Sequence, residues 1–260
     1  MTTDDTLAHP SHGIDRRAAT LVLLHGVTGD GRSHFGHLAD RFADGRRTVV
    51  LPDYAGSGTS TLTDGPLTLD LLVDEVADAI RQSPPSPVDL AGFSLGAVVA
   101  AAVAAAHPEL VRRLVLVAGW ASGEDARHKL VFDTWARLED ADPDLFARLG
   151  PLLAFEPAFL SGLGPQGLAE ILSAELPAAT GQQLDLSLRV DIRDRLQRIA
   201  TPTLVIGCAR DHLVPVGHAR ALHQAIAGSD YAEIDSGHAV IFEKPDELVE
   251  LVSDFIQGDP

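Results

Sequence analysis

The first half of this 260-residue chain alternates short apolar runs with longer amphipathic segments, and this alternation constrains the fold more than any other feature. The runs at Thr20–Gly26, Arg46–Asp53, Val88–Phe93 and Val111–Gly119 are rich in Val and Leu and predict buried strands. Strands that are apolar on both faces and alternate with helices predict an α/β fold. We expect a mostly parallel, doubly wound sheet that is flanked by helices.

The remaining elements continue this pattern to the C-terminus. Helices are predicted from apolar residues at helical spacing, and two more strands from apolar runs that end in loops. The predicted helices are Gly31–Gly45, Leu67–Gln82, Leu95–Glu109, Val216–Ala227 and Pro245–Ile256, and the added strands are Thr201–Asp211 and Tyr231–Ile234.

The segment from 121 to 198 has a different character. Strand-like runs vanish there, and short helical segments alternate with Gly/Pro breaks such as Leu149–Pro151 and Phe155–Pro157. We therefore expect residues 1–120 and 199–260 to form one α/β core, with residues 121–198 inserted as a helical cap.

Composition and charge exclude several kinds of partner. The net charge of −17 repels nucleic-acid phosphates and anionic lipids. The single cysteine, Cys208, permits no internal disulfide and fits a reducing, cytoplasmic location. The start of the chain lacks the apolar core of a signal peptide, and the longest apolar run, Ala97–Ala106, is shorter than the ~20 residues that a membrane span needs. We expect a small-molecule partner and no membrane span, and we leave a homodimer open.

One short motif points to nucleophilic catalysis. Gly92-Phe93-Ser94-Leu95-Gly96 fits G-x-S-x-G and lies where a predicted strand passes into a predicted helix. In that context the motif predicts a nucleophile elbow, which exposes the serine hydroxyl above the sheet edge, and the glycines let strand and helix approach closely. The alternative is a serine that merely caps the helix.

A nucleophilic serine needs a base and an acid that orients the base. His238 lies in a loop between the last short strand and the last helix, and Asp211 follows a predicted strand. The alternative acids are Glu124 and Asp125, which also follow a strand. Asp235 is a weaker choice because it lies only three residues before His238.

Other histidines and two backbone groups complete the prediction. We expect His25 to tie loops together and His34 and His37 to be solvated or at a pocket rim, because no third ligand completes a metal pattern. The backbone N–H groups of Val27 and Leu95 are the candidate oxyanion hole. A plain glycine-rich turn is the alternative for Val27.

Together these residues resemble the α/β-hydrolase fold family. The matching segments are His25-Gly26, the loop Asp53–Ser60 with its D-x-x-G-x-G-x-S pattern, the elbow, Asp211 before a proline, and Ser236-Gly237-His238. The order Ser94, Asp211, His238 is the order that such a fold uses. The resemblance covers roughly Thr20 to Ile256 and implies the fold, the triad and a cap. A serine at position 94 does not fit the branches with an aspartate nucleophile, and the usual N-terminal hairpin is expected to be short or partly missing.

The predicted reaction is acyl transfer to water from an uncharged, mainly apolar ester, lactone or thioester, without a metal or other cofactor. Aromatic residues could line the substrate pocket or simply pack the cap: Trp120, Phe132, Trp135 and Phe155. A C–C bond hydrolase, a lyase or a biosynthetic cyclase uses the same scaffold, and a non-catalytic receptor can keep the fold, so these alternatives stay open.

Overall fold

The computed structural model describes residues 19–44, 47–83 and 86–258. Its strands form one six-stranded, all-parallel sheet in the order β2-β1-β3-β4-β5-β6. The strands are β1 Leu21–Leu24, β2 Val49–Val50, β3 Val88–Phe93, β4 Val111–Val117, β5 Thr203–Cys208 and β6 Asp230–Ile234. The predicted α/β class and the parallel sheet are confirmed. The segment before residue 19, where the hairpin is expected to be short or partly missing, and the closing Gly45 of the first helix lie outside the described residues.

Helices cover both faces of this sheet. The helices are α1 Gly31–Ala43, α2 Leu69–Arg81, α3 Leu95–Ala106, α4 Ala126–Ala141, α5 Pro143–Ala154, α6 Pro157–Leu172, α7 Thr180–Arg189, α8 Arg193–Leu196, α9 Gly217–Ala225, α10 Val240–Glu243 and α11 Pro245–Gln257. Within the described ranges, none of them is long and apolar enough to cross a membrane.

Strand periodicity explains why the sheet needs two helical layers. In β1, Leu21 and Leu23 belong to the core under α1 and α11, whereas Val22 and Leu24 belong to the core under α2, α3 and α9. Successive side chains of a strand point to opposite faces, so a strand that is apolar throughout is buried on both sides.

The edge strand and one predicted break differ from expectation. The strand predicted at Arg46–Asp53 is only Val49–Val50, because β2 lies at the sheet edge and pairs with β1 over two residues. Leu149–Pro151 is not a break but lies inside α5. A Cβ on Gly150 would lie 2.5 Å from the Trp135 ring, so this glycine serves close packing between α4 and α5.

Helices α4 to α7 leave and rejoin the core through one narrow stem. The N–H of Gly123 donates to Val190 O at 2.9 Å, and the N–H of Ile192 donates to Ala121 O at 2.8 Å. We propose that these helices are the cap predicted for residues 121–198. Since α8 packs against α3 of the core, we place the end of the cap before α8.

The close approach of β1, β3 and α3 leads to a stability prediction. A Cβ on Gly96 would lie 2.2 Å from the Leu24 carbonyl oxygen and 2.7 Å from that of His25. We expect Gly96→Ala to lower the free energy of unfolding by about 3 kcal/mol or more. The new methyl group would clash with backbone atoms, which cannot move aside as a flexible side chain can. Urea unfolding measures this. The control is Gly162→Ala, where a Cβ meets nothing within 4 Å, and a similar loss there would contradict the steric reason.

Candidate active site

Ser94 occupies a strained turn between β3 and α3. Its φ of 57° and ψ of −121° lie in a region that residues with a Cβ rarely adopt. The turn is fixed from both sides. The Ser94 N–H donates to Val117 O of β4 at 2.9 Å, and Gly26 lies so close that a Cβ there would be 2.9 Å from the Ser94 Cβ. The serine side chain is therefore placed at the carboxyl edge of the central strands.

Three side chains predicted from the sequence meet at this edge. The Ser94 Oγ lies 2.9 Å from His238 Nε2, and His238 Nδ1 lies 2.6 Å from Asp211 Oδ2. The other oxygen, Asp211 Oδ1, accepts the backbone N–H groups of Leu213 at 2.8 Å and Val214 at 2.7 Å. All three side chains are buried. This arrangement can move a proton from the serine to the imidazole while the carboxylate stabilises the imidazolium.

The three alternative acids have other partners. Asp235 is exposed and pairs with Arg210. Glu124 pairs with Arg193 on the surface, and Asp125 caps α4 by accepting the backbone N–H of His128 at 2.8 Å. Among these candidates, the carboxylate that contacts His238 belongs to Asp211.

The predicted oxyanion-hole donors are two backbone N–H groups, that of Leu95 next to the serine and that of Val27 in the loop whose Gly26 approaches Ser94. The N–H of Leu95 is the first in α3, so no residue of that helix can accept it. In the loop after β1, the N–H of Gly26 donates to His34 Nδ1 at 3.1 Å, which leaves the next N–H, that of Val27, as the candidate. Their role as an oxyanion hole stays a prediction.

The histidines near this loop have structural partners. His25 Nδ1 donates to Gly26 O at 2.8 Å, and His25 Nε2 accepts the Tyr54 N–H at 3.4 Å, so His25 ties two loops together as expected. His34 is half-buried rather than simply solvated, and its burial lowers its pKa to about 3. The hydrogen bond from the Gly26 N–H to His34 Nδ1 could not be predicted from the sequence, since eight residues separate the two.

The aromatic residues predicted for the pocket are mostly covered. Trp120 and Phe132 have no exposed surface and Trp135 is 4% exposed, so none of them offers an open face here. Phe155 is half-buried and stacks on Phe159 with ring centroids 5.2 Å apart. Their role in a pocket stays a prediction.

The Glu243 carboxylate accepts two hydrogen bonds that the sequence does not predict. Its Oε2 accepts the N–H of Gly237 at 3.0 Å, and its Oε1 accepts the N–H of Glu156 at 3.1 Å. On the other side of His238, the N–H of Ala239 donates to Ala154 O at 2.9 Å. The α5–α6 junction is thus hydrogen-bonded to the loop that carries His238.

We expect Glu243→Ala to lower kcat about tenfold with a smaller change in KM, because two partly buried N–H groups lose their acceptor and the His238 loop loosens. Steady-state kinetics on p-nitrophenyl acetate measure both constants. Glu243→Gln keeps one acceptor oxygen and should lose less. The exposed Glu247→Ala is the matched control, and equal rates for all four proteins would contradict the positioning role.

Buried histidines predict a loss of stability in acid. Burial lowers the pKa of His25, His34, His128 and His218 in the folded state. An unfolded histidine takes up its proton near pH 6.5, so stability is full above that pH and falls as the pH drops toward the folded value. For His128, whose folded pKa is about 4, the loss between pH 7 and pH 5 is about 2 kcal/mol.

The measurement for this acid effect is urea unfolding at pH 7 and pH 5. The wild type should lose stability, and His128→Gln should lose about 2 kcal/mol less, because glutamine can keep the bond to Ser187 O without titrating. Identical losses in both proteins would contradict the assignment.

Comparison with known proteins identifies the family of this chain. A sequence profile of the alpha/beta hydrolase fold family matches residues 19–245. The chain belongs to the α/β-hydrolase fold family, as the sequence motifs predicted.

Two sequence relatives and one solved structure are informative. A pyrrolizixenacetamide deacetylase of Xenorhabdus hominickii is 36% identical over 97% of this chain and 96% of its own. A pimeloyl-[acyl-carrier protein] methyl ester esterase of Neisseria meningitidis is 27% identical over 92% of this chain and 93% of its own. The enol-lactonase of Burkholderia xenovorans shares the fold with a TM-score of 0.82 at 23% identity, over 93% of this chain and 92% of that one. Hydrolases of different bonds are thus similar to this chain.

Proposed function

We propose that this chain is a serine hydrolase that transfers an acyl group to water. The observation that carries the proposal is the hydrogen-bonded series from Ser94 Oγ through His238 to Asp211, with distances of 2.9 and 2.6 Å. A helix-capping serine does not need a buried imidazole and a buried carboxylate aligned behind it, so the series supports nucleophilic catalysis over a cap.

The proposed reaction has two steps. His238 accepts the hydroxyl proton of Ser94 as Oγ attacks the carbonyl carbon, and the N–H groups of Val27 and Leu95 stabilise the oxyanion. Collapse expels the leaving group, which takes its proton from the imidazolium, and leaves an acyl-enzyme. Water then attacks with His238 as base, releases the acid and restores Ser94. Asp211 keeps Nδ1 protonated and opposes its positive charge throughout.

The proposed substrate is uncharged. The strongly acidic chain disfavours anionic ligands, and Asp211 is the carboxylate already paired with His238. We propose an ester, lactone or thioester as the main class of substrate. An acetamide is the second candidate, favoured by the likeness to a deacetylase at 36% identity. The methyl ester esterase supports the ester reading.

A matched pair of substrates separates ester from amide cleavage. p-Nitrophenyl acetate and p-nitroacetanilide carry the same acetyl group on oxygen and on nitrogen. An ester hydrolase should cleave the first at least ~10³ times faster, whereas a deacetylase should turn over both. Carbon–carbon cleavage, or ring closure without net water, would overturn the proposed ester cleavage. The structures of the products identify the first, and the absence of ¹⁸O from labelled water in the product identifies the second.

A further inference from the structure

Two fully buried side chains each carry a polar atom that has no hydrogen-bond partner among the described residues: Trp120 Nε1 and His128 Nδ1. Trp120 lies three residues beyond β4, whose Val117 carbonyl accepts the N–H of Ser94. His128 lies in the first turn of α4. Their ring centroids are 5.1 Å apart. The pair therefore connects α4 to the edge of the sheet at which Ser94 lies.

The hydrogen-bond partners define what this pair can bind. His128 Nε2 lies 3.0 Å from Ser187 O, which can only accept, so Nε2 carries the proton and Nδ1 is an acceptor. The indole N–H of Trp120 can only donate. Burial lowers the pKa of His128 to about 4, so the ring is neutral near pH 7. The pair therefore offers one donor, one acceptor and no charge.

The second tryptophan of the chain shows the ordinary arrangement. Trp135 Nε1 donates to Phe146 O at 3.2 Å. Buried polar atoms in proteins are normally bonded in this way, and an unbonded one destabilises the fold. Two unbonded atoms of complementary type on adjoining rings are what a bound polar group satisfies. Neither side chain has exposed surface, so a ligand reaches them only if the residues that cover the pair move aside.

We propose that Trp120 and His128 form a subsite for a neutral substrate group that both accepts and donates a hydrogen bond, such as a lactam or a carboxamide. The carbonyl accepts from Trp120 and the N–H donates to His128. A carboxylate would place an acceptor against Nδ1, and an alkyl group would leave both atoms unpaired. The subsite rests on the proposed hydrolase function and refines it, since one part of the mainly apolar substrate is polar.

Binding is tested by NMR on Ser94→Ala protein, which keeps the pair and removes the proposed nucleophile. The chain has two tryptophans, so ¹⁵N labelling gives two indole N–H signals, which Trp120→Phe and Trp135→Phe assign. The probe is δ-valerolactam. We expect the Trp120 signal to move downfield and saturate, while the Trp135 signal stays in place because its N–H is already bonded.

Two comparisons separate the acceptor from the donor. N-methyl-δ-valerolactam has the carbonyl without the N–H and should bind about tenfold more weakly. In His128→Gln, which can keep the bond to Ser187 O but lacks Nδ1, the two lactams should bind within about twofold of each other.

The proposal is overturned if the lactam leaves the Trp120 signal unmoved, or if both lactams bind the Ser94→Ala protein equally. A bound water that gives a nuclear Overhauser effect to the Trp120 N–H and is not displaced by the lactam also overturns it. Because this assay reads binding and not turnover, it fails independently of the proposed reaction, whose failure would appear as wild-type protein that hydrolyses no ester or amide.

Discussion

Ser94→Ala protein should hydrolyse p-nitrophenyl acetate with kcat/KM reduced about 10⁴- to 10⁶-fold. The hydroxyl is the only group that forms the acyl-enzyme in the proposed mechanism, and loss of a nucleophile in such triads removes most of the rate enhancement. The methyl group of alanine keeps the buried turn filled, so the fold should persist. Initial rates, with protein purified apart from any wild-type enzyme, measure the loss.

A matched control separates chemistry from folding in this experiment. Ser122→Ala changes a serine between β4 and α4 whose Oγ accepts the N–H of Glu124 at 3.2 Å, away from the triad. It should keep at least about half of the wild-type rate. Ser94→Ala protein that unfolds at the wild-type urea midpoint and still hydrolyses the ester within tenfold of wild type would contradict the nucleophile assignment.

Asp211→Asn should lower kcat by about 10³- to 10⁴-fold. The carboxylate is buried, accepts the N–H groups of Leu213 and Val214, and lies 2.6 Å from His238 Nδ1. Asparagine can keep the backbone bonds through its oxygen. Its amide group then faces Nδ1 as a donor, which favours the wrong imidazole tautomer and removes the charge that stabilises the imidazolium. The pH profile of kcat reports the change.

Asp235→Asn is the matched control for this substitution. Asp235 lies three residues before His238 but is exposed and pairs with Arg210. Surface pairs contribute little, so this variant should stay within about twofold of wild type. Comparable losses in the two variants would mean that charge near the histidine, rather than the contact with Nδ1, carries the effect.

The sequence predicted the central architecture because local and long-range signals agreed there. The strand at Val88–Phe93 has the same bounds in prediction and structure, since it is apolar except at Asp89 and is followed directly by the serine of the G-x-S-x-G motif. Asp211 and His238 were placed by their position after β5 and β6, which are parallel neighbours whose carboxyl ends share one edge.

Other features could not be read from the sequence because they depend on contacts between distant segments. Glu243 accepts the N–H of Glu156 across 87 residues. Gly150 resembles a helix break until the Trp135 ring beside it is known. Likewise, Trp120 and Phe132 are apolar aromatic residues in the sequence, but whether they line a pocket or pack inside the protein depends on how closely α4 to α7 lie on the sheet and its helices.

Covalent labelling tests the central claim most directly. A fluorophosphonate reacts with a serine hydroxyl that a histidine activates, and mass spectrometry of the intact protein and its peptides locates the adduct. We predict one adduct per chain, on Ser94, formed at least about 10³ times more slowly in His238→Ala protein. A folded wild-type protein that stays unlabelled, or that is labelled at another serine, would contradict the account.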